Sequence, residues 1–230
     1  MNTDTAQSAI VIGATGLVGA QLVAQLAQSD HYHTVYQIVR RQPVVDCSAK
    51  VQTLVIPDFT QLETALQDLQ LNGADAFSAL GTTQKVAGSK QAFYDVDFTL
   101  NLNFAKLMQQ QGAGHFLLLS ATGADAKSMI FYNRVKGELE QAVTALDFAR
   151  LSIFQPSLLI GQHQDSRLAE GLAQSLFKTF KPLIPETWSY RPIEAQRVAI
   201  AMLKVAILQG HGPAIYSNTD MLTLTLENNQ

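Results

Sequence analysis

Tyr132 and Lys136 stand four residues apart in the run Phe131-Tyr132-Asn133-Arg134-Val135-Lys136, and Ser120 lies twelve residues before the tyrosine. On a helix that spacing puts phenol and ammonium on one face, about 6 Å apart along the axis. Such a pair suits carbonyl reduction, in which carbon receives a hydride and the nascent alkoxide needs a proton. A phenol with a pKa near ~10 is a weak acid–base group at neutral pH, and a neighbouring ammonium is expected to lower it. Lys136 is expected to do this while also bonding the ribose of a nicotinamide. Ser120 is expected to hydrogen-bond the carbonyl oxygen beside Tyr132. Each residue also has a plain structural reading: an interfacial tyrosine, a snorkelling lysine and a strand-end hydroxyl capping a turn. His115 reads as a strand-start residue rather than a base.

A second set points to a dinucleotide. Gly13, Gly16 and Gly19 are spaced three apart in Gly13-Ala14-Thr15-Gly16-Leu17-Val18-Gly19, between a strand pattern and a helix pattern. Glycines there permit a tight turn and let backbone N–H groups approach a pyrophosphate at the positive end of the helix. Thr15 and Leu17 count with them as cofactor contacts. The spacing departs from the G-x-G-x-x-G fingerprint, but the strand-then-helix context is the required one. An NAD site usually has an acid after the second strand, for the ribose hydroxyl. Here that strand ends in Val39-Arg40-Arg41, with no acid until Asp46. Two guanidiniums suit a 2′-phosphate, so NADP(H) is expected over NAD(H). Asp58 can either accept from the adenine amino group or cap the helix that follows; both readings stay open. Leu80, Gly81 and Thr82 end the fourth strand, where a chain reversal beside the expected nicotinamide ribose needs a small residue. Asp97 and Asn101 are weaker candidates that can simply face solvent.

The elements that must position these residues alternate along the chain. Ala9 to Ile12, Val35 to Val39, Val51 to Ile56, Asp75 to Leu80, His115 to Ser120 and Phe148 to Phe154 read as apolar strands. Helical patterns lie between them: after Gly13, from Thr60 to Leu69, from Lys90 to Gln110, and through Tyr132 to Leu146. Continuous apolar strands joined by helices predict an α/β fold, a doubly wound parallel sheet of the Rossmann type. After Ile160 the pattern loosens, with helices expected over Leu168 to Phe180 and Glu194 to Gln209 and a last strand at Ala214 to Tyr216. The chain is read as one domain over 1–230, whose portion from about 160 caps the carboxyl edge of the sheet and shapes a substrate pocket.

Composition excludes several classes. A net charge of −3, with no basic cluster denser than Arg40-Arg41, argues against a nucleic-acid partner. The single cysteine, Cys47, permits no internal disulfide, and no metal-ligand spacing occurs. The first residues lack a secretory pattern and the apolar runs are too short to cross a bilayer. The expectation is a cytoplasmic protein, a monomer or homodimer, with a small-molecule substrate and no membrane or nucleic-acid partner.

The ordered combination resembles a known family, the atypical, extended-like short-chain dehydrogenases/reductases, and within it the branch of the HIV Tat-interacting oxidoreductases. The segments that carry the likeness are Ala79-Leu80-Gly81-Thr82-Thr83, His115 to Ser120, Gly123-Ala124-Asp125, Tyr132 to Glu138 and Phe154-Gln155-Pro156-Ser157-Leu158-Leu159. The resemblance implies a Rossmann fold with bound NADPH, Ser120, Tyr132 and Lys136 as the catalytic set, and Pro156 and Leu158 on the nicotinamide face. Gln155 departs from the arginine found in many members. The leading reading is an NADP(H)-dependent oxidoreductase. The alternative is an NADP(H)-binding regulatory or redox-sensing protein acting through protein contacts. A nucleotide-sugar epimerase or dehydratase uses similar residues, but Arg40 with Arg41 and the short C-terminal portion weigh against it.

Overall fold

Ala9 and Val11 turn their side chains to one face of the first strand, Ile10 and Ile12 to the other, and all four are fully buried. A strand covered on both faces has no use for polar alternation, which is why it reads as an unbroken apolar run. The computed structural model describes residues 7–43, 48–161, 191–208 and 212–226. Its seven-stranded sheet contains β1 (Gln7–Ile12), β2 (Tyr32–Val39), β3 (Val51–Val55), β4 (Asp75–Ser78), β5 (His115–Leu119), β6 (Arg150–Gln155) and β9 (Gly212–Ser217). The spatial order is β3-β2-β1-β4-β5-β6-β9, and every pairing is parallel. The order reverses between β1 and β4, which opens a crevice at their carboxyl ends.

On one face pack α1 (Leu17–Gln28), α7 (Ala195–Ile207) and α8 (Asn218–Leu226), around Leu22, Leu26, Val198, Met202 and Met221. On the other lie α2 (Leu62–Leu66), α5 (Asn101–Gln110) and α6 (Phe131–Thr144), around Leu66, Phe104, Met108, Leu139 and Val143. Short α3 (Gln84–Ala87) and α4 (Lys90–Tyr94) precede α5, and a π-helical stretch, Asp95–Leu100, joins α4 to α5. The doubly wound α/β expectation holds.

Of the C-terminal portion, residues 191–208 and 212–226 add β9 and two helices to the sheet's own layers, with α7 packed on α1. A small parallel pair, β7 (Leu159–Ile160) with β8 (Ile193–Glu194), lies beside the main sheet. The helix expected over Leu168 to Phe180 lies outside the described residues, as do Asp46 and Cys47.

Candidate active site

The glycine turn is shaped by how closely three pieces of backbone meet. Gly13 has φ +76°, and a Cβ there would stand 2.5 Å from the Ala79 carbonyl and the Leu80 nitrogen, at the end of β4. At Gly19 a Cβ would stand 2.1 Å from the Gly13 carbonyl oxygen, so α1 starts against β1 only because this residue has no side chain. Gly16 donates its N–H to the Gly13 oxygen at 2.9 Å and forms the N-cap of α1 with no side-chain cap. The first turn of α1 carries no acid. Its positive end is thus left open to an anion, and the turn fits a pyrophosphate. Thr15 is exposed at the rim and Leu17 half-buried. Arg40 and Arg41 are both exposed at the end of β2, next to β1, with no ion-pair partner among the described residues. Asp58 follows β3 and caps the turn after it, accepting the Thr60 N–H at 2.9 Å. That contact holds its carboxyl below the usual range. The capping reading of Asp58 is the one seen.

Lys136 is buried on α6, and its Nζ lies 2.7 Å from Oδ1 of Asp97, which is also buried. Asp97 Oδ2 accepts the Thr82 N–H at 2.8 Å, tying the lysine to the turn after β4. Asn101 donates to the carbonyls of Val96 at 3.0 Å and Leu80 at 3.3 Å, and accepts from Ser78 Oγ. Gly81 lies against this group, and its position would bring a Cβ within 3.9 Å of Lys136 Nζ. Asp97 and Asn101, expected as candidates that can face solvent, are therefore buried and brace the turn after β4. Tyr132 sits one turn before Lys136, 36 % exposed, its ring tilted against Phe93.

Two expectations about the chemistry change. The Tyr132 phenol is pushed up, not down: burial raises it, Lys136 lowers it less, and the Asp97 carboxylate raises it again. The lysine's field is partly cancelled because its own counter-ion lies against it. Ser120, buried at the end of β5, gives its proton to Glu140 Oε1 on α6. Gln155, the residue departing from the family's arginine, donates from Nε2 to both oxygens of Glu140 at 3.0 Å. The sequence reading missed Glu140, although it stands four residues after Lys136, on the helical stripe that already carries Tyr132 and Lys136. Pro156 is buried and its carbonyl accepts the Thr122 N–H at 2.9 Å, while Leu158 is exposed. His115 starts β5 as expected, bonded to Ser152 at 2.9 Å far from this edge.

A doubly wound parallel sheet with an open glycine turn at its switch point, and a tyrosine and lysine at its carboxyl edge, defines an NAD(P)-binding oxidoreductase-type protein. The chain belongs to the NAD dependent epimerase/dehydratase family, whose model matches residues 9–130. It is 35 % identical over 230 residues to "Protein FMP52, mitochondrial" of Debaryomyces hansenii, covering 96 % of this chain and 100 % of that one. It is 39 % identical over 167 residues to the protein of the same name in Emericella nidulans, covering 71 % and 72 %. Among solved structures it is similar to MoeE5 in complex with UDP-glucose and NAD, at TM-score 0.67 and 14 % identity, covering 96 % and 82 %. It is also similar to the oxidoreductase ylbE from Lactococcus lactis, at TM-score 0.61 and 16 % identity, covering 97 % and 99 %. At those identities the structural likeness is one of fold. The expectation of a cytoplasmic protein is overturned by the relatives, which are mitochondrial by name. Composition and the lack of a secretory pattern say nothing that separates the two compartments.

Proposed function

We propose that the chain is an NADP(H)-dependent oxidoreductase of the short-chain dehydrogenase type, in the branch of the HIV Tat-interacting oxidoreductases, acting on the carbonyl or alcohol of a small molecule. The observation that carries this reading is the buried Lys136, held by Asp97 against the Gly81-Thr82 turn, with Tyr132 one helical turn away at the sheet's carboxyl edge. A reduced nicotinamide cofactor, its pyrophosphate held at the Gly13–Gly19 turn, would supply the hydride that the carbonyl carbon takes up. Tyr132 Oη gives its proton to the carbonyl oxygen, and the Lys136 ammonium stabilises the phenolate left behind. Ser120 positions the reacting oxygen, and Pro156 and Leu158 would line the nicotinamide face. Exposed Arg40 and Arg41 at the end of β2 support a 2′-phosphate over a free ribose hydroxyl. The protein is read as a monomer or homodimer needing no nucleic acid or membrane.

The raised Tyr132 phenol favours a second reading, a cofactor-state sensor that signals through protein contacts without turnover. The family description, with neighbours bound to UDP-sugars, supports a third, a nucleotide-sugar reaction in which hydride returns to the substrate.

Fluorescence titration should show tighter binding of NADPH than of NADH. In Arg40→Ala/Arg41→Ala the NADPH Kd should rise about tenfold, one charge-assisted contact's worth, while that for NADH stays put. A wild-type preference for NADH would sink the NADP(H) assignment. Across an aldehyde and ketone panel followed by NADPH oxidation, Tyr132→Phe should lose about 100-fold in kcat or more. No net NADPH oxidation on any carbonyl by the wild type would move the conclusion to the sensor or the nucleotide-sugar reaction.

A further inference from the structure

Ser120 has one proton to give, and Glu140 takes it. A serine hydroxyl offers one O–H and two acceptor lone pairs, so while Glu140 is ionised Ser120 faces the site with lone pairs only. In that state it accepts from an alcohol or from the Tyr132 phenol but cannot donate to a carbonyl oxygen. A protonated Glu140 reverses the bond: its carboxyl O–H donates to Ser120 Oγ and frees the serine proton for the carbonyl.

The surroundings are built to hold this carboxylate. The Ser120 N–H donates to the Phe154 carbonyl at 2.7 Å, fixing the serine's backbone on the end of β6. Gln155, next along β6, bonds both Glu140 oxygens at 3.0 Å. From α6 itself, Thr144 Oγ1 donates to the Glu140 backbone carbonyl at 2.7 Å. Glu140 also borders an open groove of about 400 Å³ with Gln141, Thr144, Ala145, Ile153 and Ile215. The charge acting on it is Lys136, itself paired with Asp97; the other groups facing it, Ser120, Gln155 and the groove residues, are neutral. Burial raises the carboxyl, while Ser120, Gln155 and Lys136 lower it by less.

We propose that Glu140 is a positioning residue for Ser120: its protonation state sets whether the serine meets the reacting oxygen as donor or as acceptor. The proposal deepens the oxidoreductase reading and rests on it. The ionised form favours an alcohol substrate and the protonated form a carbonyl.

Two measurements on the full-length protein test it. In the first, 13C-carboxyl-labelled glutamates are titrated by NMR from about pH 4 to about pH 9, with Glu140 assigned by its loss in Glu140→Gln. The Glu140 midpoint should rise by about one pH unit in Ser120→Ala, because a donor to the carboxylate is gone. An unmoved midpoint overturns the proposal without reference to activity. In the second, NADPH-dependent reduction of phenanthrenequinone is followed over the same range. Wild-type kcat should fall about tenfold as pH rises past the NMR midpoint, and Glu140→Gln should vary by less than about twofold, with KM changing less than kcat in both. Parallel profiles for the two proteins overturn the proposal, since a purely structural Glu140 would scale the rate equally at every pH. Thermal melts establish that the variants fold. If the wild type reduces neither the quinone nor any carbonyl of the panel, the oxidoreductase reading falls, and the NMR titration alone decides the Ser120–Glu140 coupling.

Discussion

Lys136 shows how one ion pair governs a neighbour's acidity. Its ammonium is buried, and its contact with Asp97 at 2.7 Å keeps a desolvated charge compensated. The same contact weakens its pull on Tyr132, whose phenol is raised first by burial and again by the Asp97 carboxylate. The signs give a paired prediction. Asp97→Asn removes the negative charge and lets Lys136 act unopposed, so the Tyr132 pKa falls. Lys136→Met removes the charge that lowers it, so the pKa rises. Ultraviolet difference titration against a Tyr132→Phe blank reads both, and shifts of the same sign in the two variants would refute the account. Asp97→Ala, which also strips the Thr82 N–H of its acceptor, should cost about 3 kcal/mol in urea unfolding, typical of a buried pair with one partner removed.

At the scale of elements, the glycine turn and the 90–110 helix carry different lessons. α1 can begin against β1 only because Gly19 has no Cβ; one would meet a backbone oxygen, which cannot swing aside as a side chain can. Gly19→Ala should therefore lower unfolding stability by about 3 kcal/mol and abolish detectable NADPH binding, since relief of the clash must move the turn. Normal NADPH affinity in that variant would mean that the turn is not the pyrophosphate cradle. The strands around this turn were legible in the sequence because burial on both faces leaves an apolar run, and the turn was legible because its glycines are local. Tyr132 with Lys136 was legible for the same reason, as one helical turn fixes the relation of residues four apart. Asp97 and Asn101 were legible only as weak candidates that can face solvent. Asp97 lies within the π-helical stretch and Asn101 begins α5, where the register shifts from the 3.6-residue repeat on which a helix pattern is judged. Glu140 was missed for another reason: its partners Ser120 and Gln155 come from two different strands, and no spacing along the chain reveals which strand ends meet a helix. α8 hid behind its Leu-Thr alternation, which has the period of a strand, although Thr225 bonds back to the Met221 carbonyl at 2.9 Å as a helical residue does.

At the scale of the whole molecule, the described residues of the sheet carry a polar network at each edge. The carboxyl edge holds the candidate active site. At the amino edge Tyr32 Oη donates to Asp75 Oδ2 at 2.7 Å, Gln7 Nε2 donates to Oδ1 at 3.2 Å, His115 Nδ1 lies 4.0 Å from that same Oδ1, and His115 Nε2 bonds Ser152 at 2.9 Å, joining β1, β2, β4, β5 and β6 under the core. Asp75 and His115, the members that titrate between acid and neutral pH, both resist charging. Burial pushes Asp75 up to about 6, and burial with the nearby Arg150 pushes His115 down to about 3. Asp75 binds its proton more tightly folded than unfolded, so its contribution to stability is full below about pH 4 and is lost as pH rises to about 6. His115 binds its proton more weakly folded, so its contribution is present above about pH 6.5 and is lost as pH falls towards 3. Between about pH 4 and about pH 6 the two slopes oppose each other, and the network as a whole is nearly indifferent to pH. Asp75→Asn keeps an acceptor for Tyr32 and removes one of the two slopes. Relative to wild type, its unfolding free energy should then fall on acidification through that window by up to about 1.4 kcal/mol per pH unit, the slope of one unmatched proton. His115→Asn should do the reverse and gain stability, relative to wild type, as pH falls over the same range. Urea unfolding at a series of pH values measures both, the other carboxylates cancelling in the differences. Curves that run parallel to wild type for both variants would mean that Asp75 and His115 titrate in the folded protein as they do in the unfolded chain, and that the amino edge is open to water rather than sealed beneath the sheet.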